Sequence, residues 1–225
     1  MNVEANLLSH RAAVFAALGD PGRLRVAESL VNGDAMPSEL AARLGMGSNL
    51  LAHHLNVLES AGVVRRVRSE GDRRRTYVHL LGDMAQLLDV PAAEVPDRVV
   101  FVCTANTARS QLAAAMWASL SALPVASAGT HPAGDVDAGA RAVARRHGLS
   151  LAADVKPQSF DAVRARGDLV VTVCDRAHEE LGTAGAAHWS VPDPVRVGTK
   201  AAFEAAFDDL GHRVTGLADR LADVS

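Results

Sequence analysis

Through the first ninety residues, apolar positions recur mostly at helical spacing. Between Asn6 and Leu18 they fall at Leu7, Leu8, Val14, Phe15 and Leu18, which predicts an amphipathic helix ending before Gly19-Asp20-Pro21-Gly22. A second helix is expected from Pro21 to Leu30, with Leu24, Val26, Ala27 and Leu30 turned inward, and a short third from Pro37 to Leu44, closed by Gly45. After the tight Gly45-Met46-Gly47 turn, Ser48 to Ser60 reads as a fourth helix. Two short helices joined by a glycine-containing turn are the helix-turn-helix arrangement. The period then changes: from Val63 to Leu80 two strand-like runs flank Glu70-Gly71-Asp72, which predicts a β-hairpin.

From residue 98 onward, short apolar runs alternate with helical segments. Arg98 to Cys103 predicts a buried strand, followed by a helix with Leu112, Met116 and Leu120 on one stripe. A second strand leads into Ser127-Ala-Gly-Thr130, Asp168 to Cys174 predicts a third, and His188 to Pro194 a loop. Phe203, Phe207, Leu210, Val214, Leu217 and Leu221 then mark one face of a long last helix. Strands alternating with helices imply a parallel sheet with crossover helices. Leu88 to Pro96, carrying Pro91 and Pro96 and little periodicity, divides the two patterns near residue 93. The expected organisation is therefore a mainly helical domain over 1–90, a linker over 91–96 and an α/β domain over 97–225.

Composition narrows the function classes. Hydrophobic residues make up 48% and charged residues 22% of the 225, enough for a sizeable core. A formal charge of -3 excludes a uniformly basic nucleic-acid coat, so any such binding must come from a local patch. No apolar run is long enough for a membrane span, and the first residues lack the pattern of a secretory signal. Two cysteines do not make a disulfide framework, and the expected compartment is the cytoplasm. Only Lys156 and Lys200 among the basic residues are lysines; arginine suits anion recognition.

The fourth helix has two faces. Leu51, Leu55 and Leu58 point one way, while Ser48, Asn49, Ala52, His53 and Asn56 make a small polar face fit for the major groove, where Asn can bond adenine. Arg65, Arg66, Arg68, Arg73, Arg74 and Arg75 crowd the hairpin, a basic wing able to grip phosphates. Residues 8–81 resemble the ArsR family of winged-helix repressors, with Ala52-His-His-Leu-Asn-Val-Leu-Glu-Ser-Ala-Gly-Val64 similar to its recognition-helix run. The resemblance implies a homodimer on a palindromic double-stranded DNA operator. Asp34-Ala-Met-Pro-Ser-Glu-Leu40 stands where arsenic sensors of that family pair cysteines, and no His/Asp/Glu cluster follows Leu81. No metal site is expected, and this half has no evident thiol sensor.

In the second half, Cys103 ends a strand, Thr104-Ala105-Asn106-Thr107-Ala108 forms a small-residue loop, and Arg109-Ser110 opens a helix. Backbone N–H groups of residues 104–109 and the positive helix end can surround an oxyanion, and Arg109 can offer two parallel bonds to it. The same field favours a cysteine thiolate over the thiol. Ser110 can then donate to the sulfur, and Asn106 can brace the loop. Phe101-Val-Cys-Thr-Ala-Asn-Thr-Ala-Arg-Ser-Gln-Leu112 resembles the low-molecular-weight protein tyrosine phosphatases, specifically their arsenate reductase branch; the likeness covers residues 98–222. It implies a four-stranded parallel sheet and a phosphate-like oxyanion or arsenate as substrate.

By that resemblance Cys103 is the nucleophile, Asp193 the general acid and Cys174 a possible resolving thiol; a turn-forming Asp193 and an inert, buried Cys174 stay open. Val195 stands where the phosphatases commonly have Tyr, which favours a small inorganic substrate. Leu181 replaces a further redox cysteine, Ala108 a second loop cysteine and Ala114 a common Glu. The second sulfur therefore comes from Cys174 or from a small thiol. The expected reductant is external (mycothiol with mycoredoxin, glutathione with glutaredoxin, or thioredoxin), and no bound cofactor is expected. Three functions remain: arsenate reductase fused to a DNA-binding regulator, phosphotyrosine phosphatase, or a non-enzymatic repressor sensing an oxyanion or arsenite through this pocket.

Overall fold

The structure is a computed structural model, and residues 3–82, 84–88, 90, 95–152 and 154–222 are described. Most of the expected linker over 91–96 lies outside the described residues. The chain forms two compact units, Met1–Ser69 with Arg73–Val90, and Pro91–Ser225 with Glu70–Asp72. No described helix is long and apolar enough to cross a membrane.

The first unit opens with α1 (Val3–Leu18), α2 (Pro21–Glu28), α3 (Pro37–Leu44) and α4 (Ser48–Ser60). Asp20 caps α2 by accepting the Arg23 N–H at 2.9 Å, with Pro21 in the first turn where its missing N–H costs nothing. That helix stops at Glu28, short of Leu30, where the Ser29 hydroxyl donates to the Val26 carbonyl at 2.8 Å and competes with the next helical turn. Gly45, at φ 63°, closes α3 in the left-handed region. Strands β1 (Val64–Arg68) and β2 (Thr76–Leu80) form the antiparallel hairpin, Val64 opposite Leu80, and α5 (Met84–Leu87) follows. Val14, Val26, Leu40, Leu55, Leu58, Val63 and Val78 share the core.

One expectation fails on α1. Its inward face is Val14, Ala17 and Leu18, while Leu7, Leu8 and Phe15 stand exposed. Apolar residues occupy two sides of this helix, and one stripe cannot turn both toward a single core. Leu24, expected inward, is only partly buried.

The second unit holds a parallel sheet of four strands in the order β4-β3-β5-β6: β3 (Arg98–Cys103), β4 (Val125–Gly129), β5 (Asp168–Thr172) and β6 (Ala187–His188). Around it lie α6 (Arg109–Leu120), α7 (Ala138–Arg146), α8 (Phe160–Val163), α9 (Asp175–Leu181), α10 (Pro194–Val197) and α11 (Lys200–Ala222). Val99 to Val102 of the central strand are fully buried, and Phe101 packs between Trp117 and Trp189. At the start of β3, Arg98 makes paired bonds of 2.9 and 2.7 Å to Asp168, locking the register of β3 with β5.

Several details depart from the sequence reading: Ser127 to Gly129, expected beyond the second strand, pair within β4 alongside β3, and His188, expected in a loop, pairs with Thr172 in β6. Strand β5 ends at Thr172 rather than Cys174, because β6 offers only Ala187 and His188 as partners and Cys174 turns to cap α9. Leu120 is exposed in the last turn of α6, although Leu112 and Met116 are buried. The expected stripe of α11 points inward, with Phe207 stacked on His147 at a centroid distance of 4.0 Å.

Candidate active site

Residues 104–108 join β3 to α6 at the carboxyl edge of the sheet, where parallel sheets place their sites. The loop's carbonyls face outward. Those of Cys103, Thr104, Ala105 and Thr107 accept bonds of 2.8 to 3.1 Å from the N–H groups of Thr130, His131, Ala133 and Asp137. In planar trans peptides the N–H opposes the carbonyl, so the N–H groups of Thr104, Ala105, Asn106 and Ala108 point inward. Thr130 to Asp137 is therefore the outer brace of the cradle; beyond Thr130, which closes the Ser127-Ala-Gly-Thr130 segment, no motif in the sequence marked it.

Asn106 organises the loop from within. It is fully buried at φ 54°, its amide donates to Ser110 Oγ at 2.8 Å, and its Oδ1 accepts from Gln111 at 3.1 Å and the Gln158 N–H at 2.9 Å. The Cys103 sulfur accepts the Asn106 N–H at 3.2 Å and lies 3.1 Å from Ser110 Oγ. Because Ser110 Oγ already accepts from Asn106, its own proton is left for the sulfur. Gly129, opposite Cys103 on β4, completes the cradle: a Cβ there would stand 2.7 Å from the Thr104 carbonyl oxygen and 3.0 Å from the Asn106 nitrogen.

Arg109 is 8% exposed. Its guanidinium donates to the Val191 carbonyl at 2.9 Å and pairs with Asp193 Oδ2 at 3.0 Å. Burial opposes its charge, but the neighbouring Cys174, Cys103 and Asp193 outweigh burial and hold its pKa above the ordinary value. Asp193 also caps α10, its Oδ1 accepting the Val195 N–H at 3.0 Å. The same carboxylate thus shapes the turn before Pro194 and faces the cradle.

Cys174 precedes α9 and accepts the Ala177 N–H at 3.4 Å, with Thr104 Oγ1 3.4 Å from its sulfur. Burial pushes its thiol pKa up, against the opposing pull of Arg109. Beside it, Asp175 is 4% exposed, yet bonds from His188 and Ser190 overcome burial and keep its carboxyl below the usual range. His188 spans Asp175 Oδ1 at 3.1 Å and Thr172 Oγ1 at 3.0 Å, and stacks on His178. The sequence did not reveal this network, since β5, α9 and β6 bring it together only in three dimensions.

Cys103, Arg109, Asp193 and Cys174 all line one pocket, together with Thr104, Ala105, Thr107 and Ala108; Asn106 and Ser110 are buried behind it. In the first unit, Ser48, Asn49, Ala52, His53 and Asn56 share the exposed face of α4, and His54 is buried 3.9 Å from Asp20. Arg65, Arg68, Arg73 and Arg74 are exposed on the hairpin and Arg75 is half-buried. Arg66 instead folds back onto α4, bonding Glu59 at 2.7 Å and Asn56 at 2.9 Å.

A four-stranded parallel sheet with a cysteine-arginine cradle at its edge defines the class of the second unit. The chain belongs to the low molecular weight phosphotyrosine protein phosphatase family, whose profile matches residues 98–224, and residues 9–67 match a helix-turn-helix domain. The HTH-type transcriptional regulator CmtR of Mycobacterium tuberculosis is 33% identical over 112 residues, covering 48% of this chain and 91% of that protein. NmtR, a regulator from the same organism, is 38% identical over 81 residues, 35% of this chain and 63% of its own length. Among solved structures, the tyrosine phosphatase Wzb from Escherichia coli K30 superposes with a TM-score of 0.51 at 22% identity, over 56% of this chain and 99% of that one. An arsenate reductase from Archaeoglobus fulgidus gives 0.47 at 30% identity, over 54% and 98%. The protein is thus a helix-turn-helix regulator of ArsR type fused to a phosphatase-like domain.

Proposed function

We propose that the second unit reduces arsenate to arsenite and that the first ties expression of a resistance operon to arsenic. The observation that carries this reading is a second thiol on the cradle itself: Cys174 reaches Thr104, and both cysteines line one pocket with Arg109. In the first step the Cys103 sulfur gives up its proton and bonds to arsenic while one arsenic–oxygen bond breaks; the Asp193 carboxylate takes that proton and passes it to the departing hydroxyl, which leaves as water. In the second, the Cys174 sulfur attacks the Cys103 sulfur as its proton passes to the departing arsenite oxygens, the sulfur–arsenic bond breaks, and its electron pair stays on arsenic. Arsenic goes from the pentavalent to the trivalent state and the two thiols become a disulfide. An external thiol reductant of the mycothiol, glutathione or thioredoxin kind restores them. No bound cofactor enters this scheme, and the chain works in the cytoplasm as a homodimer on its operator.

Intact-mass measurement after arsenate treatment tests it. The full chain should lose two hydrogens in mass, and Cys103→Ser and Cys174→Ser should not. A gain the size of an added small thiol assigns the second sulfur to that thiol instead. Burial of Cys174 and the family itself favour a second reading, hydrolysis of a phosphoester. Steady turnover of an aryl phosphate without reductant, and no arsenate-dependent thiol oxidation, would establish that one. Operator release by arsenite that requires Cys103, without any turnover, would instead mark a sensor.

A further inference from the structure

The arginines of the hairpin are not equivalent. Arg65, Arg68, Arg73 and Arg74 are exposed, whereas Arg66 is half-buried and lies over α4. Its Nη1 donates to Glu59 Oε2 at 2.7 Å and its Nη2 to Asn56 Oδ1 at 2.9 Å. The other Glu59 oxygen accepts the backbone N–H of Arg66 at 3.0 Å, so a single carboxylate holds both the strand and the guanidinium. The chain Glu59–Arg66–Asn56 ends on the face of α4 that the sequence marks for the major groove.

A guanidinium only donates, so it accepts one orientation of a neighbouring amide: the carbonyl must face it. An unrestrained surface asparagine exchanges its oxygen and nitrogen by a half-turn of the terminal torsion, and so serves base edges of either polarity. We propose that Arg66 is a positioning residue which, fixed by Glu59, holds Asn56 in one sense, carbonyl toward the hairpin and amino group away from it. Asn56 then specifies a base whose acceptor lies on the side away from the hairpin. Arg66 acts through Asn56 and grips no phosphate. This inference rests on the DNA-binding reading of the first unit and refines it.

The test uses the full chain and a duplex library with a randomised core, with bound fractions sequenced at several salt concentrations. The unaltered chain should show one position per half-site with roughly five- to hundred-fold preference for a base, the discrimination of one well-made contact. Asn56→Ala should erase that preference. Arg66→Ala should reduce it at the same position to within about threefold while leaving the slope of log affinity against log salt unchanged, because no phosphate contact is lost. Glu59→Gln, which keeps the helix and the length of the side chain, should fall between. Arg68→Ala is the contrast: the slope drops by about one and base preference stays. Melting curves show which variants fold, and if Arg66→Ala does not, Glu59→Gln carries the comparison. A lowered salt slope in Arg66→Ala with base preference intact overturns the proposal. Failure of the unaltered chain to retain any duplex at low salt overturns the DNA-binding reading, and the proposal with it.

Discussion

Asn106 occupies a left-handed backbone conformation that asparagine tolerates better than most residues, and its side chain bonds neighbours on three sides. That conformation turns its N–H onto the Cys103 sulfur. Gly129 is the complementary residue, since a methyl group there meets three backbone atoms of the loop, none of which can swing aside. Gly129→Ala should therefore displace the cradle and lower activity by about ten- to a hundred-fold, the scale on which small misplacements cost turnover. Steady-state kinetics beside an unchanged circular dichroism spectrum checks it; full activity would show that the loop has slack. The spacing of Cys103, Arg109 and Ser110 was readable because all three lie on one continuous stretch. Gly129 and Asp175 were not, because their roles depend on which strand lies beside which.

At the scale of elements, α7 and α11 meet at Gly139, where a Cβ would lie 2.4 to 2.9 Å from three ring carbons of the buried Phe203. Alanine favours a helix over glycine by about 0.5–1 kcal/mol, whereas overpacking a filled core costs about 1–3 kcal/mol. Packing should win. Gly139→Ala is expected to lower the denaturant midpoint of the second unit, and adding Phe203→Leu should return most of the loss. A midpoint that rises instead would mean the ring finds room. Helix α11 was plainly legible, its apolar stripe from Phe203 to Leu221 running through about five turns with one clear side. Helix α1 was not, since residues on both flanks are apolar and the pattern alone does not say which flank meets the core. The end of β5 lies short of the sequence expectation for a related reason, as strand ends are set by the partner strand and not by the run of valines.

For the whole molecule, the exposed Leu7, Leu8 and Phe15 bear on assembly. An apolar face of this kind on a DNA-binding unit supports the homodimer proposed above, each copy presenting the same patch to the other. Phe15→Glu should turn a sedimenting dimer into a monomer and weaken operator binding; an unaltered chain that sediments as a monomer removes the dimer from the account.

In the resting pocket Arg109 is not a vacant clamp, for Asp193 already occupies one of its arms. On the proposed reading, an incoming dianion competes with that carboxylate for the guanidinium, so occupancy and the release of the acid are two sides of one exchange. Removing the competitor's charge should then separate affinity from speed. Asp193→Asn ought to hold inorganic phosphate more tightly in calorimetry while turning over more slowly, whereas weaker retention would mean that the two groups cooperate as a single receptor.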